Sequence, residues 1–116
     1  MLELNLIFHW YNEIREYRKL EEYRTIKDHY VSRLFDWKKS VVSREYFTND
    51  LLIYGMKSNF WKYKKDIKYI KFANGYRTDR PWFIIPVKKF RIGYPKKKWG
   101  GNPSKKCFIF DLGDIV

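Results

Sequence analysis

Lys19-Leu20-Glu21-Glu22-Tyr23-Arg24-Thr25-Ile26-Lys27 is the stretch around which the rest of the chain can be ordered. Upstream, Trp10, Ile14 and Tyr17 recur at helical spacing, so a helix is expected from Trp10 to about Tyr17, closed by Arg15-Glu16-Tyr17-Arg18. Glu22-Tyr23-Arg24 then reads as a short second strand. Side chains alternate along a strand, so Glu22 and Arg24 are expected on one face, with Lys19 on the preceding turn able to reach the same space. A carboxylate, a guanidinium and an ammonium in one place can hold a nucleobase edge or a phosphate. The plainer role for Glu22 and Arg24 is an ion pair that fixes strand register.

Working outward, Glu3 to Phe8 alternates polar and apolar residues and suggests a first strand. Asp28 can cap a second helix through Tyr30, Val31, Leu34 and Phe35. Residues 36–66 are the least legible part, with a further helix expected over Ser43 to Tyr54, ended by Gly55. Strand signals dominate beyond Asp66: Ile67 to Phe72, a hairpin turn at Asn74-Gly75, Pro81 to Phe90, and Cys107 to Asp111. Gly93 to Lys106 is a long loop that carries five lysines. This succession is α+β.

Length and charge narrow the function classes. A chain of 116 residues is expected to form one domain, 1–116, with a single core. No apolar run approaches the roughly 20 residues of a membrane helix, and the start of the chain lacks the pattern of a secretion signal, so a cytoplasmic protein without a membrane partner is expected. Cys107 is the single cysteine and is accompanied by only two histidines, His9 and His29, which argues against a disulfide, a zinc site or another metal cofactor. The formal net charge is +12, and residues 57–106 hold sixteen Lys or Arg against only Asp66 and Asp79. Such a bias points to a polyanion. Aromatic residues make up 21% of the chain. In Asn59-Phe60-Trp61-Lys62-Tyr63-Lys64-Lys65 the rings can stack on unpaired bases while the lysines follow the backbone, or the rings can face the core.

Tyr17-Arg-Lys19-Leu-Glu-Glu22-Tyr-Arg24, followed by Asn74-Gly75-Tyr76-Arg77, Ile92-Gly93, Trp99-Gly100 and Leu112-Gly113, resembles the ASCH domain family in its short stand-alone bacterial and phage form. The family pattern is Gly-x-Lys-x-x-Glu-x-Arg; Lys19, Glu22 and Arg24 match it, and Tyr17 stands in place of the glycine. The resemblance implies a small PUA-like β-barrel with flanking helices, residues 36–66 being a family-variable insertion. It also implies an RNA-associated cleft. In relatives that hydrolyse acylated cytidine nucleosides the resemblance places a lysine at Lys19, a threonine at the position of Glu22, and a separate downstream glutamate. This chain has no glutamate after Glu45, and Asp79 or Asp111 could take that place only if the fold brings one into the cleft. Relatives that cleave RNA would give Lys19, with Glu22 or Tyr23, an acid–base role.

Three functions follow as expectations. The first is a nucleic-acid-binding module, for RNA before DNA, that uses Lys19, Glu22, Arg24, Lys27, Tyr76, Arg77, the loop lysines Lys96, Lys97 and Lys98, and Trp99 as a lid or plug. The second is an enzyme, a ribonuclease or a modified-nucleoside hydrolase, with Lys19, Glu22 and Tyr23 as its candidate catalytic residues. The third is a phage-type inhibitor or adaptor that occupies the nucleic-acid channel of a nucleic-acid-processing protein; the abundance of Lys, Ile, Tyr and Asn fits an AT-rich phage or mobile-element origin.

Overall fold

The computed structural model describes residues 1–116 as an α+β fold. Five strands, β1 (Leu2–Leu6), β2 (Glu21–Arg24), β3 (Tyr69–Asn74), β4 (Trp82–Gly93) and β5 (Cys107–Leu112), form one mixed sheet in the order β1-β3-β4-β5-β2. Three α-helices accompany them: α1 (Phe8–Arg15), α2 (Asp28–Leu34) and α3 (Arg44–Tyr54). The chain divides into two compact units, each built from segments distant in sequence: Met1–Glu22, Ile67–Phe90 and Phe110–Val116 in the first, Tyr23–Asp66 and Arg91–Ile109 in the second.

In the first unit β1 runs parallel to β3, with Leu4 opposite Phe72, and β3 runs antiparallel to β4, with Phe72 opposite Phe83. Leu4, Leu6, Ile70, Phe72, Phe83 and Ile85 are buried, as period-two alternation requires of a half-covered sheet. Helix α1 adds Tyr11 and Ile14 to this core, and the Tyr11 ring meets Phe83 at 5.1 Å between centroids. The helix therefore starts two residues earlier than expected and buries a different face. Tyr17 lies beyond its end and is exposed. The hairpin expected at Asn74-Gly75 forms between β3 and β4, with a connection longer than two residues. Gly75 takes φ 79, but its N–H bonds the Leu6 carbonyl, and the chain returns into register only where Asn74 N–H meets the Pro81 carbonyl.

The second unit contains α2, α3 and an aromatic core. Phe35 lies 5.4 Å from Phe47, 5.8 Å from Trp61 and 5.7 Å from Phe108, while Phe60 stacks on Phe47 at 4.8 Å. Phe60 and Trp61, and Tyr63 at 6.2 Å from Phe47, thus serve packing rather than display. Residues 36–66 hold α3 as expected, with the Ser43 hydroxyl accepting the Tyr46 N–H at the N-cap and Gly55 ending the helix at φ 57. Short 3-10 turns at Trp37–Ser40, Gly55–Lys57 and Trp61–Tyr63 occupy the remainder. Asp28 is not the cap of α2. Lys27 holds the extended N-cap conformation, and Asp28 sits in the first turn, where its carboxylate meets the positive end of the helix dipole. No helix is long and apolar enough to cross a membrane.

Candidate functional site

The first cluster grows from the end of α1. The Arg18 N–H bonds the Glu13 carbonyl at 2.8 Å and the Tyr17 N–H bonds the Ile14 carbonyl at 3.1 Å, the pair of bonds that closes a helix around a left-handed residue. That residue is Tyr17, at φ 59, a conformation usually given to glycine. Its hydroxyl accepts the Ile115 N–H at 3.0 Å, which helps to offset the backbone cost. The turn delivers Lys19 to the interior, where its Nζ donates to Glu22 Oε1 at 3.0 Å and lies 4.5 Å from the centre of the Trp10 ring. Lys19 is 4% exposed and Glu22 3%. These two expected site residues are brought together, sealed from bulk solvent, with an aromatic face against the ammonium.

Elsewhere in the first unit, Tyr76 and Arg77 lie on the β3–β4 connection. Tyr76 is 85% exposed, and Arg77 pairs with Asp79 at 3.3 Å on the surface. Arg80 anchors this connection by donating to Glu3 Oε1 at 2.7 Å and to the Arg77 carbonyl at 3.0 Å. A depression of about 310 Å³ opens beside it, lined by Lys71, Thr78, Asp79, Arg80 and Trp82. The Lys71 ammonium lies 4.5 Å from the centre of the half-exposed Trp82 ring. Lys71 and Trp82 were not singled out from the sequence. The register that sets Ala73 opposite Trp82 was the missing information.

The second unit receives the other expected residues. The Tyr23 hydroxyl accepts the Lys96 N–H at 3.0 Å. Arg24 donates from Nη1 to the Tyr30 hydroxyl at 3.3 Å, and the Lys27 ammonium lies 5.4 Å from the Tyr30 ring centre. Lys97–Trp99 form a 3-10 turn in which the Lys96 and Lys98 ammonium groups lie 4.7 and 4.6 Å from the Trp99 ring centre. Trp99 is only 8% exposed, so its ring anchors the loop and is not a free stacking platform. The loop then folds back tightly: a Cβ on Gly101 would stand 2.2 Å from Pro95 Cβ, so only glycine fits. Beside this turn is a depression of about 190 Å³ lined by Tyr23, Arg24, Thr25, Asn102, Lys105 and Lys106, among others, and by no carboxylate. Sequence reasoning placed Lys105 and Lys106 in a lysine-rich loop without assigning them to a site.

No family model, curated protein or solved structure matches the chain. Its chemistry is therefore read from its own side chains. No group of three or more His, Cys, Asp or Glu residues has the arrangement of a metal site, and Cys107 is buried and in no disulfide.

Charge is distributed unequally between the units. The second holds sixteen of the 25 basic and five of the 13 acidic side chains, a net +11; the first holds nine and eight, a net +1.

Proposed function

We propose that the protein is a nucleic-acid-binding module, for RNA before DNA, whose binding surface is the cationic second unit. The partition of charge carries this reading: nearly the whole +12 falls on one of two similar-sized units, and solubility alone does not require that segregation. Lys96, Lys97 and Lys98 are exposed on a turn anchored by Trp99, so they can supply phosphate contacts that position a strand without reading its sequence. The finer fold assignment, an ASCH-like domain of PUA type, is supported by Tyr17, which takes φ 59 where the family pattern has glycine. It is supported equally by the pairing of Lys19 with Glu22.

The test is anisotropy binding of single-stranded RNA, matched DNA and duplex RNA across a salt series, with the products run afterwards on a denaturing gel. The expected result is intact RNA and an affinity that falls with salt, at a slope of about −0.7 per phosphate neutralised on a single strand. Absence of binding at low salt would sink the reading and leave an acidic protein partner as the explanation of the charge.

A second reading, an RNA-cleaving or nucleoside-hydrolysing enzyme centred on Lys19, draws on the buried Lys19–Glu22 pair. Such pairs contribute little net stability, which makes a chemical use for this one worth testing. Turnover of RNA or acylated nucleosides that Lys19→Ala abolishes, with the circular-dichroism spectrum retained, would make it the primary function.

A further inference from the structure

We propose that the 190 Å³ depression of the second unit is a receptor for a phosphate monoester on a nucleotide, carried either by the end of an RNA strand or by a free mononucleotide. Where the ligand is a strand end, the proposal rests on the nucleic-acid reading above.

The argument starts from the lining. Arg24, Lys105 and Lys106 bring three cationic side chains to one small concavity that no carboxylate lines. An anion entering the concavity is attracted by all three. The Tyr23 hydroxyl, which accepts the Lys96 N–H, also lines the space, and Thr25 and Asn102 add a hydroxyl and an amide. Charged and neutral donors around one space form the complement of a group with several oxygens, since charge-assisted hydrogen bonds are the strong ones.

Size and charge then select among phosphates. The space is smaller than the roughly 300–1,000 Å³ of pockets that enclose whole drug-sized ligands, so it suits a headgroup entering end-on better than an entire nucleotide. An internal phosphodiester has a single negative charge and a ribose on each side. A monoester has about −1.5 to −2 charges near neutral pH and three terminal oxygens, and only one side of it is tethered. Three cations match the monoester. The walls also suit a fixed group: Gly101 packs against Pro95 too closely for any side chain, and Trp99 anchors the adjoining turn under two lysines.

The experiment compares the full chain's affinity for one short single-stranded RNA prepared with a 5′-phosphate, with a 3′-phosphate, or with hydroxyls at both ends. Adenosine monophosphate and inorganic phosphate are titrated separately by calorimetry. The expected result is about tenfold tighter binding of one phosphate-ended RNA, the change that about 1.4 kcal/mol of added interaction produces. In the Lys105→Gln/Lys106→Gln variant the ratio of phosphate-ended to hydroxyl-ended affinity falls to about one, whereas Lys88→Gln/Lys89→Gln, in the first unit, preserves it. Equal binding of all three RNAs with no mononucleotide bound overturns the proposal and leaves the nucleic-acid reading standing. Mononucleotide binding that depends on Lys105 and Lys106, without RNA binding, upholds the receptor and overturns that reading. A ratio unaltered by the Lys105→Gln/Lys106→Gln change assigns end recognition elsewhere and overturns the proposal.

Discussion

Lys19 and Glu22 meet at 3.0 Å where neither is more than 4% exposed, and the physics of that meeting has two sides. An apolar pair of similar volume would stabilise the fold as well or better, whereas deleting one charge leaves the other at a cost of several kcal/mol. Lys19→Ala is therefore expected to destabilise the protein by about 3 kcal/mol, and Lys19→Met/Glu22→Leu to recover most of it, both read from urea denaturation midpoints at constant m. A double variant that stays as unstable as the single one would mean that the pair is needed for folding itself. Tyr11 gives a second residue-scale prediction. Burial pushes its hydroxyl above the ordinary value of 10.0, and the nearby Arg15 guanidinium pulls the other way. The unfolded chain releases that proton first, so the contribution is fully present below pH 10 and is lost as pH rises through and beyond it. Tyr11→Phe should flatten the alkaline limb of a stability–pH curve. An alkaline limb as steep as in the unsubstituted protein would show that Tyr11 does not cause it. Some of this scale was legible in the sequence: Lys19 and Glu22 were expected in one place. That Tyr17 would adopt a glycine conformation was not, because its compensating bond comes from the Ile115 N–H, 98 residues away.

Elements were legible where a local signal settles them and obscure where partners decide. Helix α3 starts at a serine cap and ends at Gly55, both signals carried by a few adjacent residues. Ser43→Ala removes the acceptor for the Tyr46 N–H and should cost about 1 kcal/mol, seen as a lowered thermal midpoint. Ser43→Asp should restore it, and a midpoint unchanged in the alanine variant would show the cap to be idle. The 3-10 turns around it carry no comparable signal, and Trp61–Tyr63 packs against the rings of Phe35 and Phe47. The Asn74-Gly75 pair marked the hairpin but not the length of its connection, for a related reason. Both residues suit a two-residue turn, but the Leu6 carbonyl on β1 claims the Gly75 N–H, and Arg80 ties the longer connection back to Glu3. The rings of Phe60, Trp61 and Tyr63 were equally ambiguous. Lysine interleaving suits either a stacking platform or a core edge, and only the presence of Phe35 and Phe47 decides.

At the scale of the molecule the +12 charge was plain in the sequence, but its partition was not, because each unit is assembled from segments far apart in the chain. The two ways of counting make different predictions. If association with RNA depends on total charge alone, removing four charges anywhere should weaken it alike. If the second unit is the binding surface, position matters more than sum. Lys97→Glu/Lys98→Glu and Lys88→Glu/Lys89→Glu each lower the net charge by four, and all four side chains are exposed. The first pair is expected to weaken RNA binding at least tenfold at low salt and to reduce the magnitude of the salt slope by about 1.4, two phosphate contacts' worth on a single strand. The second should weaken binding less and leave the slope unchanged, because Lys88 and Lys89 belong to the first unit and on this reading contact no phosphate. Anisotropy titrations of both variants over the same salt series decide between the counts. Equal losses in affinity and slope would overturn the localisation of binding to the second unit, even with RNA affinity itself intact.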